Sequence, residues 1–247
     1  MNHSEPIVEL GGVSKRYGEL TVTDNVSFAL NEGAALGVIG PNGAGKSTLF
    51  NLIGGTDRVN AGFVRFRGRD VTRTGAAERC HAGIARSFQI PHPFVGMTVF
   101  ENLLVADAFG TTERHSREDR CRDILDQTGL LAKANRPAGS LTLLERKRLE
   151  LARALATDPQ LLLLDEIAGG LTDGECRSLV ATIRAIRDSG VSIIWIEHIV
   201  HALTAVVERL IVIDYGKIIA DGPPAEVMAL PVVKDIYLGI DLDEQAA

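Results

Sequence analysis

Residues 40 to 48, Gly40-Pro41-Asn42-Gly43-Ala44-Gly45-Lys46-Ser47-Thr48, fit the pattern G-x-x-x-x-G-K-[ST] in full. Each residue type answers a need of phosphate chemistry. Glycines let successive backbone N–H groups converge on phosphate oxygens with no Cβ in the way. A helix starting at the end of the loop adds partial positive charge. Lys46 brings a full charge to the β- and γ-phosphates of a nucleotide, and the Ser47 hydroxyl can ligate Mg2+. Two further groups stand at the ends of apolar runs: Asp165-Glu166 after 161–164, and Glu197-His198 after 191–196. Carboxylates at the ends of buried strands lie on the sheet edge where α/β proteins bind ligands. Asp165 is expected to hold Mg2+, directly or through water, and Glu166 to orient or deprotonate an attacking water. His198, on the same edge, is in reach of a γ-phosphate. Alone, two acids after a strand mark an ordinary polar loop, and a lone histidine is usually structural. The complete phosphate loop upstream is what makes them candidates.

These groups need a scaffold. Residues 7–10 and 26–30 read as short strands split by a glycine-containing turn. The run AALGVI at 34–39 has the continuous apolarity of a strand buried on both faces. LFNLIGG after the loop reads as a helix closed by Gly54 and Gly55. Residues 63–66 alternate like a half-exposed strand. Pro91 and Pro93 then punctuate a change to helical spacing. Within it, 113–123 is a mixed-sign charge run, read as a solvated face. Residues 143–156 form a helix with Leu144, Lys147, Leu151 and Leu155 along one flank. After Pro159, strands at 161–164, 191–196 and 210–213 alternate with helices at 175–188 and 199–208. The outline is α/β, with a parallel core and a helical insert.

Composition narrows the class. The chain has 247 residues, 45% hydrophobic and 23% charged, which fits an ordinary globular protein with a sizeable core. The formal net charge of −6 argues against a protein that coats nucleic acid. Three cysteines, Cys80, Cys121 and Cys176, make neither a disulfide framework nor a zinc pattern. The opening MNHSEPIVEL has no signal-peptide pattern. No run of about 18 apolar residues offers a membrane span.

Taken together, these elements resemble the ATP-binding cassette of ABC transporters, over about residues 7 to 239. The resemblance implies an α/β P-loop NTPase (RecA-like) core with N-terminal antiparallel strands and an inserted helical subdomain. It implies one cassette over 1–247, with the ATPase core at 1–90 and 158–247 and the helical subdomain at 91–157. Tyr17 in KRYG resembles the aromatic residue that stacks on adenine. Lys46 and Ser47 fall in the Walker A loop, Asp165 and Glu166 in Walker B, and His198 matches the switch histidine. Gln89 in RSFQIP matches the glutamine that touches the Mg2+ and water site. The stretch SFQIPHPFVGMTVFENLLVA and the ending VVKDIYLG are similar to ATP-binding subunits for branched-chain or other hydrophobic amino acids. That implies ATP and Mg2+ as cofactors and inward transport of a small solute. It also implies a second ATP-binding subunit, two membrane-spanning permease subunits, an external solute-binding protein and a peripheral place on the cytoplasmic face of the cell (inner) membrane. No nucleic acid is expected.

The chain departs from the family where it should serve its partner. The signature segment, usually LSGGQ, stands as Leu141-Thr142-Leu143-Leu144-Glu145. Thr142 keeps a hydroxyl for the partner's nucleotide, Leu144 is expected to carry bulk toward the γ-phosphate, and Glu145 adds a negative charge. Thr142-x-x-Glu145 is also a capping box. Ile167 replaces a common proline, and Thr172 a common aspartate. The combination favours a heterodimer of unlike cassettes. Rival readings are a non-transport cassette ATPase and a binding-only regulatory cassette with weak hydrolysis. A GTPase would carry N-K-x-D, which is absent, and a kinase would leave Gln89 and His198 unexplained.

Overall fold

Residues 5–110 and 116–236 are described by this computed structural model. Residues 113–115 of the charge run and 237–239 of the VVKDIYLG segment lie outside the described residues. The chain opens with β1 (Val8–Tyr17) and β2 (Leu20–Leu30), an antiparallel pair turned at Gly18. Both strands run longer than the sequence pattern suggests, because register shifts after Leu10 and Val13 break the alternation on which that reading relied. Next come β3 (Ala35–Ile39), α1 (Lys46–Gly54), β4 (Ala61–Phe66), β5 (Arg69–Asp70), α2 (Ala76–Ala82) and β6 (Ile84–Arg86). Three helices follow, α3 (Val99–Asp107), α4 (Arg117–Gln127) and α5 (Leu143–Ala156). The last third alternates β7 (Leu161–Asp165), α6 (Asp173–Asp188), β8 (Ser192–Ile196), α7 (Val200–Thr204) and β9 (Arg209–Asp214), then ends on β10 (Lys217–Gly222) and α8 (Pro224–Ala229).

Two sheets result. The smaller has the order β2-β1-β4-β5 and is antiparallel. The larger has the order β10-β9-β3-β8-β7-β6, parallel except for β10. This is the expected α/β architecture. Why the core strands read as unbroken apolar runs is visible in their packing. Leu36, Val38, Leu161, Leu163, Ile194 and Ile196 face the small sheet and α1. Ala35, Ile39, Leu162, Leu164, Ile193 and Trp195 face the opposite way, onto the layer of α3–α7. A strand with apolar partners on both sides needs no polar alternate.

Helix α1 lies between the two sheets, with Leu49, Phe50, Leu52 and Ile53 all buried. Its C-terminal carbonyls are met by Arg79 of α2, whose guanidinium donates to Leu52 O at 2.5 Å and Ile53 O at 2.8 Å, and to Val71 O at 2.5 Å. Burial pushes the Arg79 pKa down to about 10. The helix expected at 199–208 is shorter. Val206 and Val207 are buried in the link to β9 instead, so apolar residues there serve a connection, not a helix face. Strand β6 leaves no pattern in the sequence, since three residues are too few to show a period.

Candidate functional site

Strand order gathers the chemistry. β3, β8, β7 and β6 are neighbours and all parallel, so their carboxyl ends share one edge. The phosphate loop leaves β3, Glu197-His198 leaves β8, Asp165-Glu166 ends β7, and Gln89 follows β6. An open α/β sheet offers its ligand site at this edge.

The loop is wedged against its neighbours. Gly40 has φ +152, and a Cβ there would stand 2.0 Å from the Ile213 carbonyl oxygen. Gly45 has φ +101, and a Cβ there would stand 2.4 Å from Val22 O. Pro41, Asn42, Gly43 and Ala44 form the bend between them, with Ala44 N–H donating to Pro41 O at 3.2 Å. Helix α1 starts directly after Gly45 with no side-chain cap, which leaves its first N–H groups for a ligand. Ser47 is exposed there and Thr48 half-buried. Lys46 folds back and donates to Gly40 O at 2.7 Å and Pro41 O at 2.9 Å. Burial pushes the Lys46 pKa down, while Glu166 and Asp165 pull it back up. A buried ammonium held by two neutral carbonyls is poorly compensated, and an anionic polyphosphate suits it better.

The acids are held from several sides. Asp165 Oδ2 accepts from Arg86 Nη2 at 2.5 Å, and its other oxygen takes no hydrogen bond among the described residues. Glu166 sits at φ +47, a left-handed backbone rare for glutamate and common at working sites. Its Oε2 accepts from Gln89 Nε2 at 2.5 Å, and its Oε1 lies 2.6 Å from His198 Nε2. These contacts, His198 foremost, hold its carboxyl below the usual range despite partial burial. It is therefore an ionised carboxylate at neutral pH. His198→Ala removes the largest lowering contact, so the Glu166 pKa rises. The acid limb of a pH–rate profile that depends on this carboxylate then moves to higher pH, on a rate reduced about 100-fold for loss of a group that positions it. An unmoved limb would show that Glu166 is not set by His198.

Glu197 plays a different part from its neighbour. It is 1% exposed, accepts from His198 N–H at 3.1 Å and from Ala168 N–H at 3.0 Å, and burial pushes its carboxyl up. It ties the loop of Glu166 to the loop of His198. Lys147 of α5, also buried, lines the same cavity as Gln89, Glu166, Glu197 and His198. Its sequence position suggested only a helix flank. Arg86 was not anticipated either. The available signal was a basic residue closing a buried strand on the same edge.

Tyr17 ends β1 with its ring half exposed, its hydroxyl hydrogen-bonded to Asp57 and Thr48 nearby. Thr142 is the N-cap of α5, and the capping box forms: Thr142 N–H donates to Glu145 Oε2 at 2.9 Å. Glu145 also pairs with Lys133. Thr172 likewise caps α6 through Glu175. One expectation is corrected. Leu144 does not carry its bulk outward. It is half-buried against the core, and Leu143 is the exposed residue, with its Cδ2 over Gly170. The helix phase starting at Thr142 turns residue 144 inward.

A parallel sheet with a phosphate loop, two strand-end acids and a histidine on one edge defines a P-loop ATPase cassette. The profile of the ABC transporter family matches residues 23–169. The chain is 34% identical to the high-affinity branched-chain amino acid transport ATP-binding protein BraF of Pseudomonas aeruginosa, over 96% of this chain and 99% of that one. It is 32% identical to the corresponding LivG protein of Escherichia coli K12, again over 96% and 99%. The crystal structure of the ADP conformation of an ATP-binding cassette of an ABC transporter superposes with a TM-score of 0.88 at 31% identity, covering 96% of this chain and all of that one. A nucleotide-free cassette gives 0.87 at 31% identity, covering 94% and 99%. The chain belongs to the ABC transporter family, as an ATP-binding subunit with ATPase activity.

Proposed function

We propose that this chain hydrolyses ATP to power uptake of branched-chain or other hydrophobic amino acids. The observation that carries the catalytic part is the Glu166 carboxylate, ionised and held between Gln89 and His198 beside the phosphate loop. The solute class is supported by the names of the relatives, which match over 99% of their length, together with the likeness of the stretches SFQIPHPFVGMTVFENLLVA and VVKDIYLG.

The proposed roles join what the family resemblance implies to the placement of these side chains. Residues 40–48 bind the polyphosphate, with Lys46 leaving its carbonyls for the β- and γ-phosphates. Tyr17 stacks on the base. Ser47 and Asp165, with Gln89 alongside, would hold Mg2+. Hydroxyl and carboxylate oxygens suit that hard cation, which takes few protein ligands when phosphates supply the rest. Bound there, Mg2+ supplies charge neutralisation during transfer to water. Glu166 accepts the proton of the attacking water, and His198 and Gln89 hold Glu166 in place.

Among the described residues no helix is long and apolar enough to cross a membrane. Between β6 and α3, however, Phe88, Ile90, Phe94, Val95 and Met97 all stand exposed. Five large apolar side chains in ten residues form a patch of the kind that marks a protein contact. We assign it to the membrane-spanning permease subunits, which places the chain peripherally on the cytoplasmic face of the membrane. Their copurification, with phosphate release stimulated by a binding protein loaded with leucine or a similar amino acid, is the expected result. Stimulation by a different class of solute only would refute the amino-acid assignment.

The second ATP-binding subunit is proposed to be a different chain. Leu143 exposed beside Gly170, and Glu145 committed to a cap and to Lys133, suit the partner's triphosphate poorly. Leu143→Gly is expected to raise turnover at the site this chain completes, by up to about tenfold if ~1.4 kcal/mol of steric misfit is relieved. Leu144→Gly should give no such gain and should lower stability, because it empties a half-buried position. An unchanged rate in Leu143→Gly, beside rapid turnover by a homodimer of the unaltered chain, would count against the misfit and against an unlike partner.

A further inference from the structure

Strand β1 ends at Tyr17, and the loop after α1 closes on it through one acid. Asp57 Oδ1 accepts from Lys15 Nζ at 2.5 Å and from the Arg58 N–H at 2.7 Å. Its Oδ2 accepts from the Tyr17 hydroxyl. The Lys15 ammonium lies 4.8 Å from the centre of the Tyr17 ring and also donates to Arg58 O at 3.0 Å. The backbone closes the frame. Asn60 N–H donates to Ser14 O at 2.8 Å, Arg16 N–H donates to Asn60 Oδ1 at 2.8 Å, and Asp57 N–H donates to Asn51 O at 3.2 Å. Asn51 belongs to α1, the helix that starts at the phosphate loop.

So the Tyr17 ring is gripped at its hydroxyl and over one face, yet 48% of the residue is open. A free surface tyrosine loses side-chain entropy when it binds, and one already ordered does not. Lys15 is 9% exposed, although a lysine at the end of a surface strand would ordinarily reach into water. Its burial is accounted for by the ring and the acid it bridges.

We propose that Asp57 and Lys15 are positioning residues that pre-set Tyr17 for the adenine base. The chain's preference for a nucleotide over a bare polyphosphate then runs through a loop rooted in the phosphate-binding helix. This rests on the reading of Tyr17 as the base-stacking residue, and it is separable from the reading of residues 40–48 as the phosphate site.

Calorimetric titration with the non-hydrolysable analogue AMP-PNP, and separately with inorganic tripolyphosphate, tests it in Asp57→Ala, Asp57→Asn, Tyr17→Ala and the double variant of Tyr17→Ala with Asp57→Ala. Stacking of this kind is worth about 5- to 150-fold in affinity, so Tyr17→Ala should weaken AMP-PNP within that range. Asp57→Ala should lose a substantial part of the same factor, Asp57→Asn less because it keeps an acceptor for the phenol, and the double variant no more than Tyr17→Ala. Tripolyphosphate binding should be unchanged in all four. Normal AMP-PNP binding by Asp57→Ala beside a weakened Tyr17→Ala would overturn the inference and leave the Tyr17 reading standing. Normal binding by Tyr17→Ala would overturn both. Equal weakening of both ligands in Asp57→Ala would make Asp57 a support of the fold rather than of the base. Failure of the unaltered chain to bind either ligand would instead overturn the phosphate site itself.

Discussion

Glu166→Gln is expected to bind ATP with nearly unaltered affinity and to hydrolyse it about 10²- to 10⁴-fold more slowly, the usual contribution of a positioned general base. The phosphate cradle at 40–48 is untouched by the change, so binding persists. The Gln89 and His198 contacts keep the native carboxylate ionised at neutral pH, which makes it a base. An amide cannot accept the proton. The backbone at φ +47 places similar demands on Glu and Gln, so the substitution isolates charge from shape. With hydrolysis blocked, the ATP-bound dimer should accumulate, because only hydrolysis removes the contacts that favour the closed pair. Single-turnover phosphate release and gel filtration with ATP read the two effects. Turnover close to that of the unaltered chain would take Glu166 out of the reaction.

Lys46→Ala should fail earlier, at binding. Its ammonium is buried, depressed in pKa by that burial and hydrogen-bonded, among the described residues, to the Gly40 and Pro41 carbonyls, so it is poised for a stronger acceptor. A charged hydrogen bond of this kind is worth about 1.5–3 kcal/mol, or roughly 10- to 150-fold in nucleotide affinity. Turnover should fall further still, since the same charge meets negative charge that grows on the phosphoryl oxygens. Fluorescence titration with a labelled nucleotide separates this variant from Glu166→Gln, which binds and does not turn over. Retention of full affinity by Lys46→Ala would place the phosphates elsewhere.

Much of the architecture was legible because it follows local rules. A five-residue strand with apolar neighbours on both faces must itself be apolar throughout, and β3, β7 and β8 were readable for that reason. The longer reach of β1 and β2 was hidden, because glycines and a bulge interrupt the period while the backbone ladder continues. The capping box Thr142-x-x-Glu145 was legible and it forms. Thr172 looked only like a departure at the partner surface, and its capping box with Glu175 shows that it also has a duty within its own helix. Leu144 was legible on one flank with Lys147, Leu151 and Leu155, but that this flank packs on the core, leaving Leu143 exposed, was decided by how α5 docks.

From the chain of letters alone, the glycine-rich loop between a buried strand and a helix, with its lysine at the helix start, and the alternating α/β order were legible, since glycine tolerance, helix start and strand burial depend on residues close in sequence. Folding decided which side chains meet. Gln89 reaches Glu166 across 77 residues and Arg86 reaches Asp165 across 79. Those contacts exist because β6, β7, β8 and β3 lie side by side, an order set by the packing of whole elements that no local spacing encodes.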